Sequence, residues 1–175
     1  MPVFISLLRG VNVGQCRVKM SELQSVYEKL GYTEVQTYVQ SGNVVFSAPA
    51  RIDHAKQIRV AVREAFGFDI PGLVVSAKRL AQIARANPFL KNTALDPGFL
   101  HFTFLLEPSG QELSGALPKT GEESAVLVAD GIYLYCPHGY GRTKLHNGYF
   151  ERVLKVPATT RNWRTVLALE KLANR

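Results

Sequence analysis

The residues best suited to bind a ligand cluster in four short segments that combine glycines with polar or cationic side chains. The first segment follows an apolar run and contains Arg9, Gly10, Asn12 and Gly14, with Lys19 a few residues on. Backbone N–H groups of such a loop can surround an anion at the start of a helix. The segment is therefore either an anion-binding loop or a tight turn formed by its glycines.

The second segment lies where one predicted strand ends and another begins. Tyr38 and Gln40 fall on the same face of a strand and are candidates to contact a ligand above the sheet. Ser41, Gly42 and Asn43 are ordinary turn residues, so a β-hairpin turn is the favoured interpretation of this segment.

The third segment places Tyr140, Arg142 and Lys144 in one loop with Gly139 and Gly141. An arginine fork and a lysine point charge beside a glycine backbone suit a phosphate group. The alternative is a flexible loop whose Thr143 caps the next helix.

The fourth segment contains Thr160, Arg161 and Asn162. Thr160 is the expected N-cap of a last helix, whose apolar stripe begins at Trp163. Arg161 and Asn162 are then available to a ligand, whereas Trp163 is expected in the core.

The sequence lacks the patterns of common catalytic and metal sites. Neither a P-loop nor a dinucleotide-binding glycine motif is present. The spacing of Cys136, His138 and His146 matches no usual metal site, and Cys16 has no identifiable histidine partner. Because the carboxylates are scattered, no acid–base pair can be assigned. Whether the protein is an enzyme, and with which cofactor, is therefore left open.

Composition and charge limit the class of protein. Of the 175 residues, 46% are hydrophobic and 20% charged, as in globular domains, and the net charge is +7. Residues 136–175 carry eight Lys or Arg but two Asp or Glu, which favours an anionic partner or simply aids solubility. The longest apolar runs are too short to cross a bilayer, so we expect no membrane partner. The two cysteines, Cys16 and Cys136, are far apart and suit a reducing compartment, so we expect a cytoplasmic protein.

The first half of the chain has the pattern of a ferredoxin-like unit. Apolar runs predict strands at residues 3–8, 35–40, 44–47 and 73–75, and helical stripes begin near Ser21 and Asp53. Ser21 with Gln24 predicts a capping box. The resulting order is β-α-β-β-α-β.

The second half echoes that order. The predicted strands are 100–106, 125–128 and 132–135, with a hairpin at Asp130-Gly131 and a short helix near Glu112 to Leu117. Helices at 145–154 and 162–172 follow, which gives β-α-β-β-α-α. We therefore expect an α+β fold of two ferredoxin-like (α/β plait) halves packed together, with extra C-terminal helices. The predicted divisions are 1–76, a linking helix and loop at 77–98, and 99–175.

The four segments together resemble the family called domain of unknown function 1697. The resemblance rests on Leu7 to Gly14, Tyr38 to Val44, Gly139 to Leu145 and Ala158 to Trp163. It implies two ferredoxin-like subdomains and no assigned activity. This chain departs from the family at Gln15 and Cys16, where a glycine and a polar residue are common.

Three functions follow from these observations. The first is binding of a small phosphorylated or otherwise anionic ligand. If the cationic site also performs group or phosphoryl transfer, the protein is an enzyme. Its ligand would lie in one cleft between the halves, surrounded by Arg9, Asn12, Arg142, Lys144 and Arg161. The second is binding of RNA or another nucleic acid, since the first strand loosely resembles an RNA recognition motif. The third is a protein-interaction or homodimeric structural module, and the oligomeric state stays open.

Overall fold

The structure of the chain is a computed structural model that describes residues 1–110 and 121–175. The predicted helix near Glu112 to Leu117 lies outside the described residues. In the described residues the strands and helices follow in the order β1 (Val3–Leu8), α1 (Met20–Lys29), β2 (Thr33–Tyr38), β3 (Asn43–Ser47), α2 (His54–Phe66), β4 (Gly72–Ser76), α3 (Ala77–Arg85), β5 (Leu100–Leu105), β6 (Ser124–Val128), β7 (Gly131–Tyr135), α4 (Asn147–Leu154), β8 (Ala158–Asn162) and α5 (Trp163–Ala173).

These elements confirm an α+β protein with two four-stranded antiparallel sheets. The strand orders are β2-β3-β1-β4 and β6-β7-β5-β8. The chain divides into two compact units, one made of Met1–Gln82 and Ala168–Arg175, the other of Ile83–Leu167. The predicted divisions at 76 and 98 stay predictions.

The core of the first unit is aromatic. Phe46 of β3 is fully buried, and its ring stacks on Tyr32 at 4.6 Å between centroids and meets Tyr27 edge-on at 5.4 Å. The Tyr27 hydroxyl donates to the Ser6 Oγ at 2.8 Å, which satisfies the only polar atom of that side chain. His54 is also buried and bonds Tyr32 and the Pro49 carbonyl through its two ring nitrogens. These contacts fix α1 and α2 against one face of the sheet.

Helices α1 and α2 of the first unit begin next to their predicted starts, but their caps differ. Helix α2 begins at His54, and the Asp53 side chain caps it by accepting a hydrogen bond from the Lys56 N–H. The predicted capping box of Ser21 and Gln24 is wrong, since α1 begins at Met20 and Lys19 is its N-cap, with no side-chain cap bond. The first turn of α1 therefore starts without the usual side-chain acceptor.

The second unit is built around β5, which lies between β7 and β8. Phe102 is fully buried, with the rings of Phe104 and Tyr133 each 4.7 Å from its own. The predicted hairpin joins β6 to β7, but its loop is Ala129 and Asp130, since Val128 pairs with Gly131. Gly131 therefore belongs to the strand and not to the turn.

The predicted order of the second half omits one strand. Residues Ala158–Asn162 form β8, which pairs with β5 so that Thr160 lies opposite Thr103. Thr160 is consequently not the N-cap of α5; Asn162 has that role, and its Oδ1 accepts from the Thr165 N–H at 2.8 Å. Strand β8 continues directly into α5, which fixes both ends of the fourth segment.

The predicted cap of α4 is also wrong. Thr143 Oγ1 accepts from the N–H of Leu145, two residues further along, in a local turn. The helix begins at Asn147, and the His146 side chain accepts from the Tyr149 N–H at 3.3 Å.

Among the described residues, every helix is too short or too polar to span a membrane.

Candidate functional site

The first two predicted segments meet through the side chain of Asn12. Its Nδ2 donates to the carbonyl oxygens of Gln40 at 2.8 Å and Val18 at 3.1 Å, and its Oδ1 accepts from the Val18 N–H at 2.9 Å. Both amide hydrogens are thereby used inside the protein. Asn12 shapes the loop and has no donor left for a ligand.

The backbone of both segments is held in an uncommon conformation. Asn12 has a φ of 57° and Val39 a φ of 50°. A β-branched residue rarely adopts this left-handed region, because its Cβ crowds the backbone. Val39 was predicted to continue β2, but the strand ends at Tyr38 and the Val39 side chain is 53% exposed. The surrounding contacts thus hold the turn against a local strain.

Gly42 presses this turn against the end of β1. A Cβ at this position would lie 2.8 Å from side-chain atoms of Leu8 and Val11, and its φ is 78°. Its carbonyl accepts the Leu8 N–H at 2.9 Å. Only glycine both fits this close to Leu8 and Val11 and adopts this φ without strain, so packing alone accounts for Gly42.

A cavity of about 430 Å³ opens where these two segments meet, and we call it the loop cavity. Its lining side chains are Asn12, Arg17, Val18, Lys19, Met20, Ser21 and Gln40. Two of these are cations and none is acidic. The cavity also lies at the uncapped start of α1, where backbone N–H groups favour an anion.

Other predicted residues of the first unit maintain the loops. Asn43 donates through Nδ2 to the Tyr38 carbonyl at 3.1 Å and to Ser41 Oγ at 2.8 Å, so these three residues hold the hairpin turn. Gly10 and Gly14 have positive φ values and open space around them. Arg9 donates its backbone N–H to the Pro71 carbonyl at 2.8 Å.

In the second unit, predicted residues from the third and fourth segments also meet. Thr160 Oγ1 donates to Asn147 Oδ1 at 2.6 Å, so Thr103 Oγ1 must donate to Thr160 Oγ1, 2.7 Å away. The Tyr140 ring stacks on His101 at 5.0 Å. The Tyr140 hydroxyl is buried beside Thr160 without a well-formed hydrogen bond among the described residues.

Burial controls the protonation of this stacked pair. It raises the pKa of the Tyr140 phenol, an effect that the adjacent Thr160 hydroxyl partly offsets. It lowers the pKa of His101, while a hydrogen bond to the Phe99 carbonyl partly restores it. Both rings are therefore held neutral near pH 7 and present uncharged surfaces.

Arg161 lies within the sheet and not on the surface. Its side chain donates from Nη1 to Thr159 Oγ1 at 2.7 Å and to the Thr160 carbonyl at 3.0 Å. The loss of hydration lowers its pKa to about 10, so the guanidinium stays charged at neutral pH. Arg161 was predicted to be available to a ligand, and the exposed fraction of this residue is 8%.

A cleft of about 770 Å³ lies in the second unit, and we call it the aromatic cleft. It contains two predicted residues, Tyr140 and Asn162. Sequence reasoning missed several others, namely Asp96, Phe99, His101, Arg164 and Leu167. Two signals in the sequence could have drawn attention to this region. Arg164 follows the fourth segment directly after Trp163, and Asp96-Pro97-Gly98 is a turn pattern before β5.

The cations of the third segment lie elsewhere in the second unit. Lys144 lines a separate cavity of about 320 Å³ with His146, Tyr149 and Arg152. Arg142 is exposed in a 3₁₀ turn and lines neither cavity. Arg9 and Asn12 belong to the first unit. The predicted meeting of five residues in one cleft remains untested.

The different burial of the two cysteines can be tested by chemical labelling. Burial raises the pKa of the Cys136 thiol, partly offset by a hydrogen bond with Thr143, whereas Cys16 is half-buried. Because thiolates react with alkylating reagents, we expect iodoacetamide to label Cys16 and to spare Cys136 in the folded protein. Peptide mass spectrometry measures this, with urea-unfolded protein as the control. Equal labelling of both in the folded protein would contradict the buried position of Cys136.

Comparisons with known proteins place the chain in a family. The family described as "Protein of unknown function (DUF1697)" matches residues 1–135, which include the first two segments but not the last two. No curated protein matches the chain. A solved structure described as "The structure of conserved bacterial protein SP0830 from Streptococcus pneumoniae" is 22% identical, with a TM-score of 0.75, and the match covers 100% of this chain and 99% of that one. At this identity the likeness shows the fold alone. The resemblance is confirmed by the family match, and the chain belongs to the DUF1697 family of unknown function.

Proposed function

We propose that the protein binds a small anionic ligand, such as a phosphate ester, in the loop cavity. The observation that carries this proposal is the meeting of Arg17 and Lys19 with an uncapped helix start in a cavity without acidic lining residues. Of these two cations, Lys19 was predicted and Arg17 was not. The proposal concerns binding, and it assigns no reaction.

The chemistry of the cavity suits a compact oxyanion. The guanidinium of Arg17 can form two parallel hydrogen bonds to phosphate oxygens, and Lys19 supplies a point charge. The backbone N–H groups of the first turn of α1 add neutral donors. The Ser21 hydroxyl and the Gln40 amide provide further donors at the rim. A volume of about 430 Å³ is within the range typical of small-molecule sites.

The strained turn supports the same proposal. Strained conformations of non-glycine residues concentrate at ligand sites, because the surrounding structure must hold them in place. Here Asn12 and Val39 have positive φ values, and Asn12 ties the two loops together beside the cavity. The backbone beside the cavity is thus held in one conformation before a ligand arrives, which lowers the entropy lost on binding.

We also propose that both units are ferredoxin-like. The support is that the two sheets share one strand order, with the first and third strands of each unit adjacent in the sheet and the fourth next to the first. In the first unit the helices α1 and α2 occupy the two crossover positions of a β-α-β-β-α-β unit.

RNA binding by the first sheet has weaker support. An RNA recognition motif stacks bases on exposed aromatic rings of its central strands. Here the ring of Phe4 on β1 lies 4.8 Å from His54 and 5.9 Å from Phe46, and Phe46 is fully buried. Both rings belong to the core on the helical side of the sheet and cannot stack on bases.

The test compares how two pairs of cations contribute to phosphate binding, one pair in the loop cavity and one in the third segment. Isothermal calorimetry would measure binding of inorganic phosphate, pyrophosphate and ribose 5-phosphate to the wild type, Arg17→Gln/Lys19→Gln and Arg142→Gln/Lys144→Gln. We expect the first double variant to weaken binding by about a hundredfold, since each charge-assisted bond contributes roughly tenfold. The second double variant should bind as the wild type does. Binding should also weaken as salt is raised.

Two results would count against the loop cavity. If Arg142→Gln/Lys144→Gln lost binding while Arg17→Gln/Lys19→Gln kept it, the anion would bind to the third segment instead. If none of the three probes bound and native mass spectra of freshly purified, nuclease-treated protein showed no added mass, the proposal would be wrong. A discrete added mass that the first double variant loses would identify the ligand directly.

A further inference from the structure

The aromatic cleft in the second unit differs chemically from the loop cavity. Its charged lining residues are Asp96 and Arg164, which have opposite signs, and His101 is neutral because burial lowers its pKa. A cleft with balanced charge and aromatic walls does not select for a simple anion. We propose that it binds a planar, hydrogen-bonding heterocycle of the nucleobase kind, as a free base or nucleoside.

The walls of the cleft suit the faces of a flat ring. Phe99 and Tyr140 contribute aromatic surface, and Leu167, which is 45% exposed, contributes an apolar wall. Heterocycles stack on aromatic side chains because every base has a π-face, and such stacking contributes appreciably to binding. The cleft volume of about 770 Å³ accommodates one base with its sugar.

The rim of the cleft supplies both acceptors and donors for the edge of a ring. Asp96 Oδ1 accepts the Gly98 N–H at 2.8 Å, which leaves Oδ2 as an acceptor. Asn162 Oδ1 accepts the Thr165 N–H, which leaves both N–H groups of the amide as donors. Arg164 adds a guanidinium. Carboxylate, amide and guanidinium groups are those that proteins use to pair with base edges.

These groups are held in place before a ligand arrives. Tyr140 is fixed by stacking on His101, and behind it Thr103, Thr160 and Asn147 form a continuous hydrogen-bonded chain. Asn162 is fixed as the last residue of β8 and the N-cap of α5. A rigid cleft loses little entropy on binding, which favours a small ligand.

The charge balance favours a free ligand over a nucleic-acid strand. Proteins that hold single strands provide a positive groove that follows the phosphates. The lining of the aromatic cleft contains one cation and one carboxylate, and Asp96 would repel a phosphate. We therefore expect nucleosides to bind without the steep salt dependence of nucleic-acid binding.

The chain carries a spectroscopic reporter at this site. Its single tryptophan, Trp163, lines the cleft and is 2% exposed. We would titrate adenosine, guanosine, cytidine and uridine, measuring binding by calorimetry and its location by tryptophan fluorescence, corrected with free tryptophan. At least one nucleoside should bind and change the fluorescence. A short mixed-sequence RNA provides the comparison with a polymer.

Three variants test the assignment of the rim. Asp96→Asn keeps the acceptor for Gly98 and removes the charge, and Arg164→Gln removes the guanidinium. We expect each to weaken nucleoside binding about tenfold, because a hydrogen bond to a charged group contributes roughly that much. The matched control is Arg152→Gln, whose arginine lies over the Tyr149 ring outside the cleft, and it should bind as the wild type does.

Several outcomes would overturn the proposal. They are the absence of binding by all four nucleosides, binding without a change in tryptophan fluorescence, and binding that Asp96→Asn and Arg164→Gln both leave unaffected. RNA binding without nucleoside binding would overturn the free-ligand assignment. The result is independent of the proposed function, because Arg17→Gln/Lys19→Gln should abolish phosphate binding and leave nucleoside binding intact.

Discussion

Replacing Gly131 with alanine is expected to lower the free energy of unfolding by about 3 kcal/mol, the upper range for overpacking a core. A Cβ at Gly131 would overlap the Phe102 ring and lie 2.5 Å from the Thr103 carbonyl oxygen. The carbonyl belongs to the neighbouring strand and cannot move without breaking the ladder. The Phe102 ring is confined between Phe104 and Tyr133, so it cannot rotate away.

Urea denaturation followed by circular dichroism measures this loss of stability. Gly141→Ala is the matched control, since a Cβ there meets nothing within 4 Å and its φ is not positive. We expect the control to change stability by less than about 0.5 kcal/mol. If Gly131→Ala were as stable as Gly141→Ala, the close approach of β7 to Phe102 would be incorrect.

Replacing Asn12 with alanine is expected to have the second largest effect, a loss of about 2–3 kcal/mol. Three hydrogen bonds disappear, each contributing about 1 kcal/mol, and alanine tolerates the φ of 57° no better than asparagine does. The loop and the hairpin turn then separate. Because the loop cavity depends on their contact, phosphate binding should weaken as well.

Asn12→Gly separates the two causes of this effect. Glycine adopts the positive φ without strain but makes none of the three side-chain hydrogen bonds. We expect it to lose most of the same stability, measured by urea denaturation, and to weaken phosphate binding in calorimetry. Asn174→Ala removes an exposed asparagine near the C-terminus and serves as the control. Wild-type stability and binding in Asn12→Gly would show that the amide does not shape the cavity.

The sequence predicted the strands well wherever apolar residues repeat. Strand β1 is apolar at every position except Ser6, strand β5 alternates apolar residues with His101 and Thr103, and α2 begins where Asp53 predicts it. Strand β8 was missed because Thr159, Thr160 and Arg161 are polar and lack an apolar alternation. The Thr160 hydroxyl bonds to Thr103 of β5, 57 residues away in the sequence, a contact that only the folded sheet provides. Local pattern cannot reveal a strand whose polar groups are paired over long range.

The same limit applies to the candidate sites. The sequence identified Lys19, Gln40, Tyr140 and Asn162, because glycine-rich loops with polar residues are visible locally. It identified Asn12 as a ligand donor, whereas its amide hydrogens are bonded within the protein. It did not indicate His101, because a single histidine within a strand gives no local signal. Only the folded structure stacks its ring on Tyr140.

The late position of β8 has a consequence for the order in which the chain is synthesised. Strand β5 ends at residue 105, and its partner β8 begins only at residue 158. Until that segment leaves the ribosome, one side of the apolar strand Leu100–Leu105 has unpaired backbone groups. Exposed strand edges of this kind invite pairing with other chains. Pairing of the polar strand β8 with β5 therefore removes an exposed strand edge at which the nascent protein could aggregate.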